Sequence, residues 1–247
     1  MDYKVLIVGK GIVGTNLGKE LDILKPDFYD KYKVIDERKE GLYDIAFICV
    51  DTPESEESFC DCSEVEVALA ENNANIFVIK STMLPVQIDT IRNRWHTKHI
   101  VFSPEYYGST QHCNNYNFNF TILGGDKEDC KKVIQILQNV YDASHQFKIT
   151  DAKTASLVKY MENSYLAMKV SFCSQFFDIA EQEGIDYEEL RELFILDPRV
   201  NPSHTFVYRD TPYWDSHCLN KDVNAVAYQY RAKLLKSIIE FNNNQKQ

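Results

Sequence analysis

The stretch that decides the fold is Tyr3-Lys4-Val5-Leu6-Ile7-Val8-Gly9-Lys10-Gly11-Ile12-Val13-Gly14. Its first half is a short apolar run, the pattern of a strand buried on both faces. Its second half is G-x-G-x-x-G, after which Val13, Leu17, Leu21 and Leu24 recur at helical spacing until Pro26 stops them. A strand that turns through glycines into a helix opens a βαβ unit able to hold a dinucleotide. The glycines permit a tight turn and close backbone approach, and the pyrophosphate rests on the unpaired N–H groups of the helix N-terminus. Gly9, Gly11, Ile12, Val13 and Gly14 are therefore candidate cofactor contacts. Lys33-Val34-Ile35 reads as the second strand, ending in Asp36. That acid would take the adenosine ribose hydroxyls and favour NAD over NADP, unless Arg38 turned inward to accept a 2′-phosphate.

Working outward, the alternation continues with strands over 45–50, 76–79 and 99–102, a helix over 63–72, a strand over 119–124, a helix over 126–141 and a last strand near 146–149. This pattern predicts an α/β fold, with a Rossmann-type doubly wound parallel sheet in residues 1–150. Ligands of such sheets bind outside the carboxyl ends of the strands. Three strands end in Val50-Asp51-Thr52-Pro53, Lys80-Ser81-Thr82 and Ser103-Pro104-Glu105, which would converge on one crevice. Val50, Thr52, Pro53 and Thr82 are candidates for the cofactor side of that crevice, and Glu105 and Tyr106 for the substrate side.

Bulk properties narrow the partners. A formal net charge of -10 over 247 residues argues against nucleic acid and against anionic lipid, leaving small molecules. No apolar run reaches the length of a membrane span and no signal peptide precedes the first strand, so a cytoplasmic location is expected. Seven cysteines at irregular spacing predict reduced thiols. Cys60-Asp61-Cys62, His112-Cys113 and His217-Cys218 lack the paired spacing of zinc sites, and no metal is expected.

Residues 151–247 read as a helical domain. Asp151 caps a helix that persists to Gly184, a length that would outrun one domain's core and predicts a homodimer through residues 151–183. Lys159 and Asn163, four apart, share a face of it. Asp186 opens a short helix that Asp197-Pro198 stops, and 199–221 reads as an ordered loop. His217-Cys218-Leu219-Asn220-Lys221-Asp222 puts a thiol, an ammonium and a carboxylate within five positions. Cys218 is the candidate nucleophile, because a neighbouring cation and a helix N-terminus both favour a thiolate. Asp222 reads as the N-cap of a helix carrying Val223, Val226, Ala227, Tyr230, Leu234, Ile238 and Phe241 on its apolar face.

Taken in order, Gly9-x-Gly11-x-x-Gly14, Val50-x-Thr52-Pro53, Lys80-Ser81-Thr82, Ser103-Pro104-Glu105, Gly124-Gly125, Lys159-x-x-x-Asn163, Asp197-Pro198-Arg199 and Cys218-x-x-Lys221-Asp222 resemble the nucleotide-sugar dehydrogenases of the UDP-glucose/GDP-mannose type. The resemblance spans nearly the whole chain. It implies a Rossmann domain followed by an all-α dimerisation domain like that of 6-phosphogluconate dehydrogenase. It further implies NAD as cofactor, a nucleotide-linked sugar as substrate, and oxidation of its primary alcohol to a carboxylate through a thioester. Carried over residue by residue, Cys218 is the nucleophile and Lys159 steadies oxyanions with help from Asn163. Asp222 with a water assists removal of the alcohol proton, and Thr82 and Glu105 act in hydrolysis. Glu105, Tyr106, Lys159, Asn163, Arg199 and Lys221 face the substrate, Arg199 from across the dimer.

The sequence also departs from that family. Relatives carry a third, nucleotide-holding domain, so a short form lacking it is expected, with a separate chain as one source of that function. Thr211-Pro212-Tyr213-Trp214-Asp215-Ser216 stands where a glycine-rich loop usually precedes the cysteine, Ser109 where relatives often have Glu, and Ser174-Gln175 where they often have Asn-Glu. Two other readings stay open: a two-electron β-hydroxyacid or 6-phosphogluconate-type dehydrogenase, and a non-catalytic NAD-binding regulatory subunit.

Overall fold

The computed structural model describes residues 3–55, 60–107 and 118–246; Ser109 and the His112-Cys113 pair lie outside the described residues. The chain forms two compact units that divide within one long helix, after Lys159.

The first unit is built on eight strands: β1 (Val5–Val8), β2 (Asp27–Asp30), β3 (Ile35–Asp36), β4 (Tyr43–Ile48), β5 (Ala74–Ile79), β6 (Ile100–Phe102), β7 (Phe120–Gly125) and β8 (Gln146–Thr150). They lie in the order β3-β2-β1-β4-β5-β6-β7-β8. Side chains alternate between the two faces of a strand, and here both sets are buried. Leu6, Val8, Ala46, Ile48, Phe77 and Ile79 pack on one face with Val65 and Leu69 of α2 (Ser63–Glu71) and Ile88 and Ile91 of α3 (Pro85–Arg94). Val5, Ile7, Ile45, Phe47, Ile76 and Val78 pack on the other with Leu17 of α1 (Ile12–Glu20) and Val133 and Leu137 of α4 (Lys127–Leu137). Helices on both faces make the sheet doubly wound.

Four features differ from the sequence reading. The sheet is mixed: β2 with β3 and β6 with β7 pair antiparallel. The second parallel strand is Asp27–Asp30, in register with β1 from Leu6↔Asp27 to Val8↔Tyr29, and not Lys33–Asp36. Val34 takes φ 56, a conformation β-branched residues avoid, and turns the chain back so that Ile35 and Asp36 run antiparallel at the edge. Helix α3, starting with Pro85 at its first turn, follows β5, where no helix was read. Helix α4 ends at Leu137 rather than Tyr141.

Helix α5 (Ala152–Glu183) runs 32 residues and ends where Gly184, at φ 68, turns the chain and the Ile185 N–H reaches back to the Ala180 carbonyl at 2.8 Å. The second unit adds α6 (Tyr187–Phe194), α7 (His217–Gln229) and α8 (Lys233–Asn244). Its small core joins Ala167, Trp214, Val223 and Ile238. Asn242 holds the backbone of Trp214 on both sides, accepting its N–H at 2.9 Å and donating to its carbonyl at 3.0 Å. The expected loop is shorter than read, since α7 begins at His217 with Ser216, not Asp222, as its N-cap; the Ser216 hydroxyl oxygen accepts the Leu219 N–H. The single helix expected to follow is two, broken at Arg231, which takes φ 51.

Candidate active site

The cofactor cradle forms where β1 meets α1. A Cβ on Gly14 would lie 1.9 Å from the Gly9 carbonyl oxygen, so the turn closes only with glycine there. Gly11 is different: a Cβ on it would meet nothing within 4 Å, which leaves open space above the loop. Helix α1 has Gly11 as its N-cap, no side-chain cap and no acid in its first turn. Its N–H groups and positive dipole end are thus available to an anion, and these residues fit the pyrophosphate of NAD. Ile12, largely exposed, and Val13 belong to this first turn.

Asp36 does not stand at the end of the second parallel strand. It lies on the edge strand, with its carboxylate held by Arg38 at 2.7 and 2.8 Å, and that pairing draws it below its ordinary pKa. Asp30 stands there instead, nine-tenths buried. Its carboxylate accepts the N–H of Lys10 within the glycine loop at 2.7 Å, and those of Tyr32 and Lys33 at 3.0 Å. Burial raises the Asp30 carboxyl, but these backbone donors outweigh it and leave the group below its ordinary value. Asp30, and not Asp36, thus ends the second parallel strand of the βαβ unit.

Along the carboxyl edge the quoted motifs are tied to one another. Buried Thr52 donates from Oγ1 to the Thr82 carbonyl at 2.8 Å, and Ser81 donates to the Val50 carbonyl at 2.6 Å, so the β4 and β5 ends form one seam with Pro53 just beyond. Lys80 Nζ reaches Ser103 Oγ at 3.1 Å and joins the β6 end. Burial draws the Lys80 ammonium below its usual value, while the neighbouring Cys49 thiol is pushed up to about 12. The Glu105 carboxylate accepts the Tyr107 N–H at 2.6 Å. Tyr106 packs edge-on against Phe120, and the Lys159 ammonium lies 5.0 Å from its ring centroid. Lys159 is buried, and so is Asn163 one turn on. Gly124 makes the start of α5 possible: a Cβ on it would lie 2.5 Å from that of Ala155.

In the second unit Cys218 sits on the first turn of α7 and is exposed. Three and four residues later, hence on the same side of the helix, Lys221 and Asp222 are buried. Asp222 carries two partners: Lys221 Nζ at 2.9 Å on one oxygen and the Asn163 amide at 2.6 Å on the other. Ser174, fully buried, donates to the Pro212 carbonyl and so anchors the glycine-free segment. Trp214 of that segment donates from its indole to Ser171 at 3.0 Å. Arg199 is exposed and forked onto Asp197, its near neighbour.

Sequence reasoning missed Asp30 and Ser216. Asp30 had a usable signal, a Phe-Tyr pair ahead of an acid soon after the helix-stopping Pro26; Ser216 was outshone by Asp222 as a cap. Among the described residues no group of three or more His, Cys, Asp or Glu could hold a metal ion, and no helix is long and apolar enough to cross a membrane.

Two family models match the chain. Residues 31–145 match the NAD binding domain of the UDP-glucose/GDP-mannose dehydrogenase family, and residues 153–244 match its central domain. The UDP-N-acetyl-D-mannosamine dehydrogenase of Methanocaldococcus jannaschii is 29% identical over 214 residues, covering 81% of this chain and 48% of that protein. The UDP-glucose 6-dehydrogenase of Rickettsia felis is 26% identical over 214 residues, covering 79% and 47%. The chain thus spans about half the length of the curated relatives it matches. A UDP-glucose dehydrogenase structure from Pyrobaculum islandicum superposes with a TM-score of 0.82 at 19% identity, over 99% of this chain and 68% of that one, and shares its fold.

Proposed function

Because the chain belongs to the UDP-glucose/GDP-mannose dehydrogenase family, we propose that it takes part in oxidising the primary alcohol of a nucleotide-linked sugar to the carboxylate, with Cys218 as nucleophile. The observation that carries this reading is the cluster on α7: an exposed thiol one turn ahead of a buried Lys221–Asp222 pair that Asn163 completes. A dehydrogenase that stops at the aldehyde or ketone needs no thiol there.

The glycine loop of Gly9, Gly11 and Gly14 would hold NAD, which when bound would supply the hydride acceptor for each oxidation. The first removes a hydride from the alcohol carbon while the hydroxyl proton passes to a base, for which Asp222 with a water is the proposed group. The Cys218 thiolate then adds to the aldehyde carbon, and the carbonyl oxygen becomes the alkoxide of a thiohemiacetal. Loss of the second hydride from the same carbon gives the thioester. Water adds to it, the carbon–sulfur bond breaks, and the acid and the thiol are released. Lys159 and Asn163, on one face of α5, are the proposed donors to the oxyanions, since donors fixed beforehand need no reorganisation during reaction. Thr82 and Glu105 are the proposed aids to hydrolysis, and Tyr106, Arg199 and Lys221 further substrate contacts.

Assembly as a homodimer through α5 is part of the proposal. Met161, Tyr165, Phe172, Phe176 and Ile179 are all more than a third exposed and recur at helical spacing, an apolar stripe suited to a second copy of itself.

The deciding measurement is stoichiometric. With UDP-glucose, GDP-mannose and UDP-N-acetylmannosamine as the panel, two NADH form per carboxylate, and Cys218→Ser halts the reaction before acid appears. One NADH per turnover, insensitive to that substitution, overturns the reading in favour of a two-electron dehydrogenase. Binding of NAD with no hydride transfer on any sugar nucleotide overturns it in favour of a regulatory subunit.

A further inference from the structure

The turn that follows β2 is Lys31-Tyr32-Lys33, and it leaves directly from Asp30. Arg38 stands close by, its guanidinium 3.6 Å from the centroid of the Tyr29 ring. By charge alone, three cations around the end of the second parallel strand would suit a phosphorylated ribose as well as a plain one. Each cation is already engaged. Lys33 Nζ donates to the Lys10 carbonyl at 2.6 Å, and Arg38 is forked onto Asp36. Lys31 is ion-paired with Glu64 at 2.8 Å, and the Tyr32 hydroxyl donates to the same carboxylate at 2.8 Å. Glu64 lies in the first turn of α2, so it reaches the β2 turn from another element, 33 residues away from Lys31 in sequence.

As a stabilising contact this pair is worth little, being partly exposed on both sides. Its effect on an incoming dianion is another matter, because the acid contributes one negative charge and also withholds an ammonium and a hydroxyl that a 2′-phosphate would use. We propose that Glu64 is a cofactor-selectivity residue: together with Asp30 it makes this site prefer NAD, by holding Lys31 and Tyr32 away from the ribose and by repelling a 2′-phosphate.

The inference concerns cofactor binding and is independent of Cys218 chemistry, so direct binding tests it. NAD and NADP are titrated calorimetrically into the full chain as wild type, Glu64→Gln, Lys31→Met and the double variant, with thermal unfolding as the check on folding. Glu64→Gln is expected to tighten NADP about tenfold, the factor that corresponds to ~1.4 kcal/mol, while NAD affinity stays within about twofold. The double variant keeps only the part of the gain that comes from freeing Tyr32 and losing the repelling charge, and Lys31→Met by itself leaves NADP affinity at the wild-type level. No gain for NADP in a folded Glu64→Gln protein, an equal gain for both cofactors, or a gain that Lys31→Met does not reduce overturns the proposal. Should Glu64→Gln unfold, Glu64→Ala, which removes both the charge and the acceptor, carries the same expectations and the same overturning results.

Discussion

The Asn163 side-chain amide donates to one oxygen of the Asp222 carboxylate at 2.6 Å, while Lys221 pairs with the other at 2.9 Å. All three are buried. Removing one member of a buried ion pair is costly, because the remaining charge stays desolvated. Asp222→Ala is therefore expected to lower stability by about 3 kcal/mol, and Asn163→Ala by about 1–2 kcal/mol. Urea unfolding measures both. An Asp222→Ala protein as stable as the wild type would mean the carboxylate does not neutralise Lys221.

Two glycines of one loop are expected to behave oppositely. Gly14→Ala drives a methyl to 1.9 Å from the Gly9 carbonyl oxygen, so the loop must open and both stability and NAD binding fall. Gly11→Ala puts its methyl into open space. Its melting temperature should match the wild type while NAD affinity drops at least about tenfold, or ~1.4 kcal/mol. Calorimetry and thermal unfolding on the same samples separate the two, and normal NAD affinity in Gly11→Ala would place the pyrophosphate elsewhere.

A ribose-binding role for Asp30, which ends the second parallel strand, in place of Asp36 is testable in the same way. Asp30→Ala should weaken NAD strongly, whereas Asp36→Ala, which removes an exposed pairing with Arg38, should leave it nearly unchanged. There is a pH corollary. The backbone donors hold the folded-state pKa of Asp30 below that of an ordinary aspartate, so its stabilising contribution is complete above about pH 4 and is lost as pH falls through the folded value. The acid limb of an unfolding curve should consequently flatten in Asp30→Asn. An acid limb identical to the wild type's would contradict the assignment.

Thiol reactivity should rank by environment. Burial pushes Cys49 up to about 12 and Cys130 up to about 11, whereas Cys218 is exposed. Limited iodoacetamide at pH 8, read out by peptide mass spectrometry, is expected to modify Cys218 well before Cys49 or Cys130. Early labelling of Cys49 in the folded protein would refute the ranking.

The apolar stripe on α5 gives a prediction about assembly. Light scattering should find a dimer, and Met161→Glu with Phe172→Glu should yield a folded monomer, since both positions are more than half exposed in a single chain. A wild-type monomer at high concentration would remove the proposed interface.

The central strands β1, β4, β5 and β6 were legible in the sequence because they are buried on both faces and spell continuous apolar runs, as in Ile45–Ile48 and Ile76–Ile79. The second strand was hidden for the converse reason. Phe28 and Tyr29 are flanked by Asp27 and Asp30, acids that disfavour strands, and each is stabilised by partners distant in sequence: Asp27 by Tyr43 and Lys39, Asp30 by the glycine loop. The decoy Val34-Ile35 looked like a strand by composition, yet Val34 is 91% exposed at a turn. Helix α3 escaped because Ile88 and Ile91 are its buried positions, too few to set a period. The break between α7 and α8 carries no glycine; it rests on Arg231 with the Ala232 N–H bonded to the Ala227 carbonyl at 3.0 Å. Site residues were recognisable as motifs, but which carboxylate meets which amide depends on helices folding against each other, and no spacing encodes that.

The pairing of Asn242 with Trp214 also sets an order of events during synthesis. The two residues are 28 positions apart, and the later one supplies both hydrogen bonds to the backbone of the earlier. A ribosome adding about 5–20 residues per second needs roughly 1–6 s to cover that interval. Over that time the segment leading into Cys218 already has its partners Ser174 and Ser171 but not the clamp on the Trp214 backbone, so the approach to the thiol is completed only by a side chain made after α7 itself.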